Sequence, residues 1–162
     1  MTAIIEVKRS FDGARESRFH CELVDLNRDR IVVLFRFERD GRDLDSYGVF
    51  WRRRGYNCYY AVPKGGGGAP VFVRFDVVRD VELAARTALL ELRYTDLLLD
   101  LWVDAAGARW EDEDEVAIER AAGRLGVADA ERIERVRGRL ERGHPRIARE
   151  VRAMLRELGC AV

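Results

Sequence analysis

Hydrophobic and polar residues alternate in short runs through the first half of the chain, a pattern typical of β-strands with one buried face. The run from Ile31 to Phe37 is continuously apolar at first and then alternates, which indicates a strand buried on both sides near its start. Turn-forming residues such as Asp40-Gly41 separate the runs. We therefore predict strands over residues 3–7, 19–26, 30–37, 47–52, 56–62 and 71–78.

The pattern beyond these strands is less uniform. Residues 82–93 fit either a short helix or a continued strand, whereas the short apolar run 97–103 favours a strand and is followed by a turn at 104–107. The four glycines at 65–68 predict a flexible hairpin tip. They lack the Lys-Ser/Thr pair and the following helix of a phosphate-binding P-loop, so we do not interpret them as one.

After Glu111 the apolar residues recur at the spacing of amphipathic helices. We predict one helix over 112–125, a second over 129–142 and a third from Pro145 to Gly159, because proline suits a first helical turn. The apolar face of the third helix consists of Ile147, Val151, Leu155 and Leu158.

Strands followed by helices predict an α+β protein with an antiparallel, barrel-like sheet and C-terminal helices packed on it. A chain of 162 residues fits one compact domain, and no repeat or linker divides it, so we expect a single domain over 1–162. The third helix can pack on the barrel or on a second subunit, giving a monomer or a homodimer, and packing within the chain is the commoner arrangement.

Composition narrows the class of protein. The chain has 29 basic and 29 acidic residues, so no overall field attracts nucleic acid. Three widely spaced cysteines without a CxxC pair argue against a disulfide framework and a structural zinc site, and they favour a reducing cytoplasm. We expect neither a membrane span nor a signal peptide. Arginine is abundant and only Lys8 and Lys64 are lysines, which indicates a GC-rich, bacterial genome.

Two pairs of carboxylates are candidates for metal binding. Asp96 and Asp100 project from the same face of the predicted strand, at most about 13 Å apart along an extended chain. Asp112 and Glu115 share one face of a helix start. Hard cations such as Mg²⁺ and Mn²⁺ need several oxygen ligands, and convergence of the two pairs would supply them.

Three of these four carboxylates also have a simpler interpretation. Asp112 and Glu115 fit a capping box, and acidic residues stabilise a helix start in any case. Asp96 fits a turn. Only Asp100, which lies within an apolar strand, resists such an explanation, because a carboxylate there is costly unless it is paired or solvated.

A basic tract precedes these acids in the chain. Arg52, Arg53 and Arg54 come just before Tyr56 and Asn57. Guanidinium groups bind phosphate oxygens through two parallel hydrogen bonds, and a neighbouring aromatic ring can stack on a base. The pattern alone favours the alternative of a solvated turn.

The motif Tyr-x-Asp-Leu-x-Leu-Asp-x-x-Val from Tyr94, followed by a turn and Asp-Glu-Asp-Glu at a helix start, resembles the FomD-like family of nucleoside tri- and diphosphatases. Arg54-x-Tyr56-Asn57 and the segment Arg74 to Val78 lie upstream in the order that the family shows. The resemblance covers about residues 15 to 140, and its most specific part is 94 to 115.

This resemblance implies a barrel-like sheet and hydrolysis of nucleoside di- or triphosphates, or, in one branch, of a cytidylyl phosphonate. It also implies that the tract 52–54 faces the phosphates. Carboxylates hold Mg²⁺ or Mn²⁺ in the family, and the matching positions here are Asp76, Asp96, Asp100, Asp112 and Glu115.

Leu98 departs from the family pattern, which has three alternating acids where this chain has Asp96, Leu98 and Asp100. The missing acid favours one metal ion over two. In the mechanism that we expect, Asp96 takes the proton of the attacking water, and Arg52, Arg54 or Lys64 neutralises charge on the phosphate.

Two alternatives to a mononucleotide hydrolase follow from the same residues. The arginine tract with Trp51 and Tyr56 would suit a module that binds RNA or a nucleotide without cleaving it, and Leu98 favours this alternative. A ribonuclease that uses the same metal site on RNA is the other.

Overall fold

A computed structural model describes residues 2–86 and 88–162. Eight strands precede two helices. The strands are β1 (Thr2–Arg9), β2 (Glu16–Leu26), β3 (Arg30–Arg39), β4 (Arg42–Trp51), β5 (Asn57–Pro63), β6 (Phe72–Arg86), β7 (Leu89–Asp104) and β8 (Gly107–Glu111). The helices are α1 (Glu113–Ala121) and α2 (Val127–Glu157).

The first seven strands form a closed barrel. Each pairs with the next in antiparallel fashion, and β1 closes the ring by pairing in parallel with the first half of β7. The short strand β8 pairs with the second half of β7, outside the ring. This confirms the α+β class and the antiparallel barrel with C-terminal helices, and it adds one parallel pair that the sequence did not predict.

Alternation along the strands gives the barrel two packed faces. The inner face, which includes Ile4, Val33 and Tyr94, fills the barrel. The outer face, which includes Val49 and Phe75, packs against α2. Both faces of the sheet are thus buried over much of their area, as the continuous apolar start of β3 indicated.

The helices correct one prediction. Instead of two helices over 129–142 and from Pro145 to Gly159, one helix of 31 residues runs through Pro145. A proline inside a helix removes one backbone hydrogen bond, but the apolar stripe of α2 continues on both sides of it and is buried against the barrel. The buried residues of this stripe are Ile133, Val136, Leu140, Ile147, Val151 and Leu155.

The strands extend further than predicted. Within the ambiguous segment 82–93, residues 82–86 belong to β6 and residues 89–93 to β7, and these two strands pair in antiparallel fashion over a long distance. The predicted turn after β7 is present, but the sequence analysis missed β8, because this five-residue strand is largely exposed and has no apolar alternation to reveal it. Neither helix combines the length and the apolar character needed to cross a membrane.

The four glycines lie in the loop that joins β5 to β6, which confirms the predicted hairpin tip. Gly66 has a φ of +78°, and a Cβ atom there would lie 2.2 Å from the carbonyl oxygen of Ala161. The loop therefore packs directly against the C-terminal residues, and only glycine fits this contact.

Candidate functional site

A β-bulge between β6 and β7 shapes the inner face of the barrel. Asp76 pairs with Asp100, and two residues further along β6, Val78 pairs with Asp96. One residue of β6 thus faces three residues of β7. The middle one of these three, Leu98, adopts a left-handed backbone with φ of 75°.

The bulge brings three carboxylates together. Asp76, Asp96 and Asp100 each place one oxygen within 4.8 Å of the other two. The sequence predicted that Asp96 and Asp100 share a face, and the structure agrees. The bulge brings one oxygen of each carboxylate within 4.8 Å of the other, although the two residues would be about 13 Å apart along an extended strand.

Asp76 is fully buried and well compensated. The guanidinium group of Arg74 donates two hydrogen bonds to its carboxylate, from Nε to Oδ1 at 2.7 Å and from Nη2 to Oδ2 at 3.0 Å. The backbone N–H of Asp76 donates to Oδ1 of Asn57 at 3.3 Å. A bidentate arginine of this kind fixes the orientation of the carboxylate.

Asp96 and Asp100 are less well compensated. Asp96 lies 3.5 Å from Nζ of Lys8, and burial raises its pKa to about 6. Burial, followed by the charges of Asp76 and Asp96, raises the pKa of Asp100 well above its usual range. Within the described ranges, Oδ1 of Asp96 and Oδ1 of Asp100 are buried without a hydrogen-bond partner.

Three close carboxylates with two unpartnered, buried oxygens fit a hard divalent cation. Such cations take oxygen ligands, and one to three carboxylates suffice when a substrate supplies the rest. Without a cation, mutual repulsion holds a proton on the cluster. The donor set thus supports a metal site formed by Asp76, Asp96 and Asp100.

A cavity of about 310 Å³ lies on the inner face beside this cluster. Its lining contains the two cations that contact the aspartates, Lys8 and Arg74, and a third cation, Arg39. The remaining walls are mainly aromatic and consist of Phe19, Phe35, Phe37, Tyr59, Phe72, Tyr94 and Trp102. A cavity of this composition suits a flat, partly apolar group attached to an anion.

Stacked rings form one wall of the cavity. Phe72 and Trp102 lie parallel with centroids 4.4 Å apart, and the guanidinium carbon of Arg39 is 4.9 Å from the Trp102 ring. Arg74 lies over Tyr59 at 4.7 Å. These cation–π contacts hold both arginines against the wall, where both also line the cavity.

Glu6 lies at the bottom of the cavity in a buried hydrogen-bond network. The hydroxyl groups of Tyr59 and Tyr94 donate to Glu6 Oε1 at 2.6 and 2.7 Å. Burial raises the pKa of Glu6, and the two donated bonds oppose that rise. The network fixes the aromatic rings that border the aspartate cluster.

Two arginines of the predicted basic tract, Arg53 and Arg54, lie on the other face of the sheet. Arg53 and Arg54 line a cavity next to α2, on the outer side. Tyr56 is only 2% exposed and packs edge-on against Trp51 and Phe75, so its ring offers no surface for a base. The structure therefore does not bring this tract together with the aspartates.

Two further predicted site residues, Asn57 and Lys64, lie in different parts of the structure. Asn57 is fully buried on the inner face, where it holds the backbone of Asp76. Lys64 is exposed and forms an ion pair with Asp43 at 3.5 Å, and it does not line the 310 Å³ cavity. A catalytic role for Lys64 stays a prediction.

Asp112 and Glu115 are exposed and lie outside the cluster. Asp112 precedes α1 with a left-handed φ of 66°, and its side chain makes no capping hydrogen bond, so the capping-box alternative is not formed. Its neighbour Glu111, in β8, pairs with Asp100, in β7. The start of α1 therefore lies at the end of this strand pair that carries Asp100. Their part in a metal site stays a prediction.

The sequence analysis missed Lys8, Arg39 and Arg74 as site residues. Arg74 and Asp76 alternate in β6 and share a face, a pattern that the sequence contains. Lys8 and Arg39 come from distant strands, and only the closed barrel brings them to the cavity.

Two solved structures share this architecture. The phosphatase SC4828, in complex with the non-hydrolysable nucleotide GPCP, has a TM-score of 0.63 and 15% identity, covering 94% of this chain and 82% of its own. FomD, in complex with CDP, has a TM-score of 0.55 and 15% identity, covering 94% of this chain and 86% of its own. No sequence-family model and no curated protein matches the chain. The chain therefore has the fold of SC4828 and FomD, which confirms the resemblance to the FomD-like family at the level of the fold.

Proposed function

We propose that this protein is a divalent-metal-dependent phosphohydrolase that acts on nucleoside di- or triphosphates, or on a related nucleotidyl phosphate or phosphonate ester. One observation carries the proposal. Three aspartates, two of which have an unpartnered buried oxygen, lie beside a cavity that is lined by aromatic rings and three cations.

Asp76, Asp96 and Asp100 would hold one Mg²⁺ or Mn²⁺ ion. A bound cation of this type draws charge from phosphate oxygens and makes an attacking water more acidic. Arg74 keeps the Asp76 carboxylate in a fixed orientation, so the site is organised before substrate enters. Leu98 in place of a further acid agrees with a single ion.

Lys8 and Arg74 would bind the phosphate groups, since both line the cavity and both contact the aspartate cluster. Their positive charges lie where negative charge accumulates as a phosphate bond breaks. Arg39, on the aromatic wall, is placed to bind a phosphate further from the cluster or the sugar.

Asp96 is the best candidate for the general base. Its pKa of about 6 leaves it ionised at neutral pH and still basic enough to accept a proton from water. Lys8 forms an ion pair with the Asp96 carboxylate, and its positive charge favours the ionised form of that carboxylate. Asp100 would serve mainly as a metal ligand.

The aromatic wall would take the nucleoside. Stacking on the half-buried rings of this wall, such as Phe35 and Phe37, is possible for any base, so the wall alone sets no strict base preference. The neighbours of the same fold were solved with GPCP and CDP. Guanine and cytosine nucleotides are therefore the first substrates to test.

The test is phosphate release from a panel of nucleoside di- and triphosphates with Mg²⁺, Mn²⁺ or EDTA. We expect metal-dependent release that Asp100→Asn reduces by about 100-fold or more, because a metal ligand is lost without a change of shape. Asp114→Asn is the matched control, since Asp114 is an exposed residue of α1 outside the cluster.

Two outcomes would contradict the proposal. One is release that continues unchanged in EDTA or in Asp100→Asn. The other is the absence of release from every nucleotide in the panel while the purified protein is folded. Asp112→Asn and Glu115→Gln in the same assay decide whether those two residues take part in metal binding.

A further inference from the structure

Six arginines border a groove on the outer face of the barrel, between the turn that joins β4 to β5 and the helix α2. The groove has a volume of about 290 Å³, and Gly55 and Val136 complete its lining. We call it the arginine groove. Its arginines are Arg53, Arg54, Arg132, Arg135, Arg139 and Arg142.

Close packing of the turn on the helix creates this groove. Gly55 has a φ of +77°, and a Cβ atom there would lie 3.1 Å from Cγ2 of Val136. The short side chain lets the turn approach α2, so that Arg53 and Arg54 come next to the arginines of the helix. The four helical arginines recur at steps of three and four residues and share one face of α2.

The arginines of the groove have no carboxylate partners among residues 2–86 and 88–162, although ion pairs are common elsewhere on the chain. On the same helix, Arg137 pairs with Glu113 and Glu141, and Arg146 pairs with Glu150. Arg54 contacts the Trp51 ring and the Tyr56 hydroxyl. The groove is therefore a local excess of positive charge in a chain whose net charge is zero.

A cluster of arginines such as this one favours an anionic ligand. Six like charges around one groove repel each other, and an anion that enters relieves this repulsion. Guanidinium groups bind phosphate oxygens in a bidentate manner. None of the exposed large apolar residues, Leu26, Leu89, Ile118 and Val127, lines the groove, which disfavours a membrane surface.

We propose that the arginine groove binds the phosphodiester backbone of a nucleic-acid strand. Arg132 and Arg142 are ten residues apart on a continuous helix, a distance of about 15 Å. A strand presents one phosphate about every 3.4 Å along its axis, so this length matches about four phosphates. No aromatic residue lines the groove, so contact is with the backbone and independent of base sequence.

This binding site is separate from the aspartate cluster. The cluster and its cavity lie on the inner face of the barrel, whereas the groove lies on the outer face against α2. Binding at the groove consequently needs no metal ion and no aspartate, and it does not depend on the proposed hydrolase activity.

The experiment measures the fluorescence anisotropy of a short, labelled, mixed-sequence RNA and of the equivalent DNA in EDTA, between about 50 and 200 mM salt. For single strands each phosphate contact contributes about 0.7 to the salt slope, so contact with about four phosphates predicts a slope near −3. In Arg135→Gln/Arg139→Gln the slope should fall to about −1.5, with affinity at least about 10-fold weaker. Both side chains are exposed, so the variant should fold normally.

The control variant is Arg15→Gln/Arg120→Gln, which removes the same charge from exposed arginines outside the groove. This control and Asp100→Asn should bind as the unchanged protein does. Equal weakening in the control, or no binding of RNA or DNA at about 50 mM salt, would overturn the proposal. Binding of inorganic polyphosphate but of neither nucleic acid would overturn the assignment to a nucleic-acid strand.

Discussion

Asp100 illustrates how a proposed metal ligand lowers the stability of the protein that carries it. Its carboxylate is largely buried, and its nearest charged neighbours in the cluster are two other aspartates. Lys8 and Arg74 offset only part of this repulsion, because they bind Asp96 and Asp76 directly. A bound metal ion would neutralise the remaining repulsion among the carboxylates. Without a metal ion, a bound proton has to neutralise it.

This cost predicts an unusual dependence of stability on pH. The pKa of Asp100 is 3.8 in an unfolded chain and raised in the folded one, so the folded state holds a proton that the unfolded state releases. The stability that this proton provides is complete below about pH 4 and is lost as the pH rises towards the folded pKa. In EDTA, the unfolding free energy of the protein relative to Asp100→Asn should fall by about 1.4 kcal/mol per pH unit.

Urea unfolding of both proteins between about pH 4 and pH 8 measures this difference. Asp100→Asn should be the more stable of the two at about pH 8, although it has lost its activity. Parallel stability curves for the two proteins would show that Asp100 ionises normally and that the cluster is solvated.

The two lysines of the chain provide a matched comparison. Lys8 contacts Asp96 and lines the cavity, whereas Lys64 pairs with Asp43 outside it. We expect Lys8→Met to lower kcat/KM by about 100-fold and Lys64→Met to leave it nearly unchanged, because only Lys8 lies where phosphate charge develops. The steady-state kinetics of both variants measure this, and the reverse order of effects would restore the role that the sequence suggested for Lys64.

At the scale of elements, the β-bulge in β7 determines the geometry of the site. Leu98 in a left-handed conformation costs about 1–2 kcal/mol relative to an extended residue. The two residues beside it, Leu97 and Leu99, are both buried in the outer core and stabilise the bulge. The sequence predicted that Asp96 and Asp100 share a face, but not their contact distance, since a bulge depends on how β6 and β7 pair.

The helix α2 leads to a prediction about Pro145. Proline in a helix interior costs about 3 kcal/mol relative to alanine, and this proline is exposed, so little packing is lost on replacement. Pro145→Ala should therefore raise the unfolding free energy by about 1–3 kcal/mol in urea. Glu134→Ala, at another exposed position of α2, should change it by less than about 0.5 kcal/mol.

A less stable Pro145→Ala would mean that the proline shapes α2 to fit the barrel. The same residue explains why the sequence suggested two helices here. Proline commonly opens a helix, and a single sequence does not reveal that the barrel surface buries the apolar stripe on both sides of it.

Across the whole molecule, the two charged sites lie on opposite faces of the barrel sheet. The aspartate cluster, with Lys8 and Arg74 beside it, lies on the inner face and the unpaired arginines of the groove lie on the outer face, while the total charge is zero. The net charge led us to expect no attraction for nucleic acid. That expectation concerned the average field, and the arginine groove differs from the average because α2 and the turn after β4 collect arginines from two distant segments.

The features that could be predicted from the sequence depend on neighbouring residues, whereas those that could not depend on residues far apart in the chain. Alternation and turns, which are local, correctly gave the α+β class, most strands and the shared face of Asp96 and Asp100. The parallel pairing of β1 with β7 joins distant segments, and no local pattern encodes it. Lys8 and Arg39 were missed for this reason, since each enters the site only through the closed ring.

The parallel pair also has a consequence for folding. Leu90 lies 86 residues after Ile4, and the two pair only when the ends of the seven-stranded ring meet. Pairings of such long range form slowly, because the entropy of closing the loop opposes them. The contact of Lys8 with Asp96 crosses this same junction. Completion of the proposed metal site should therefore coincide with ring closure, and recovery of the metal binding that we propose would report, during refolding, the moment at which the ring closes.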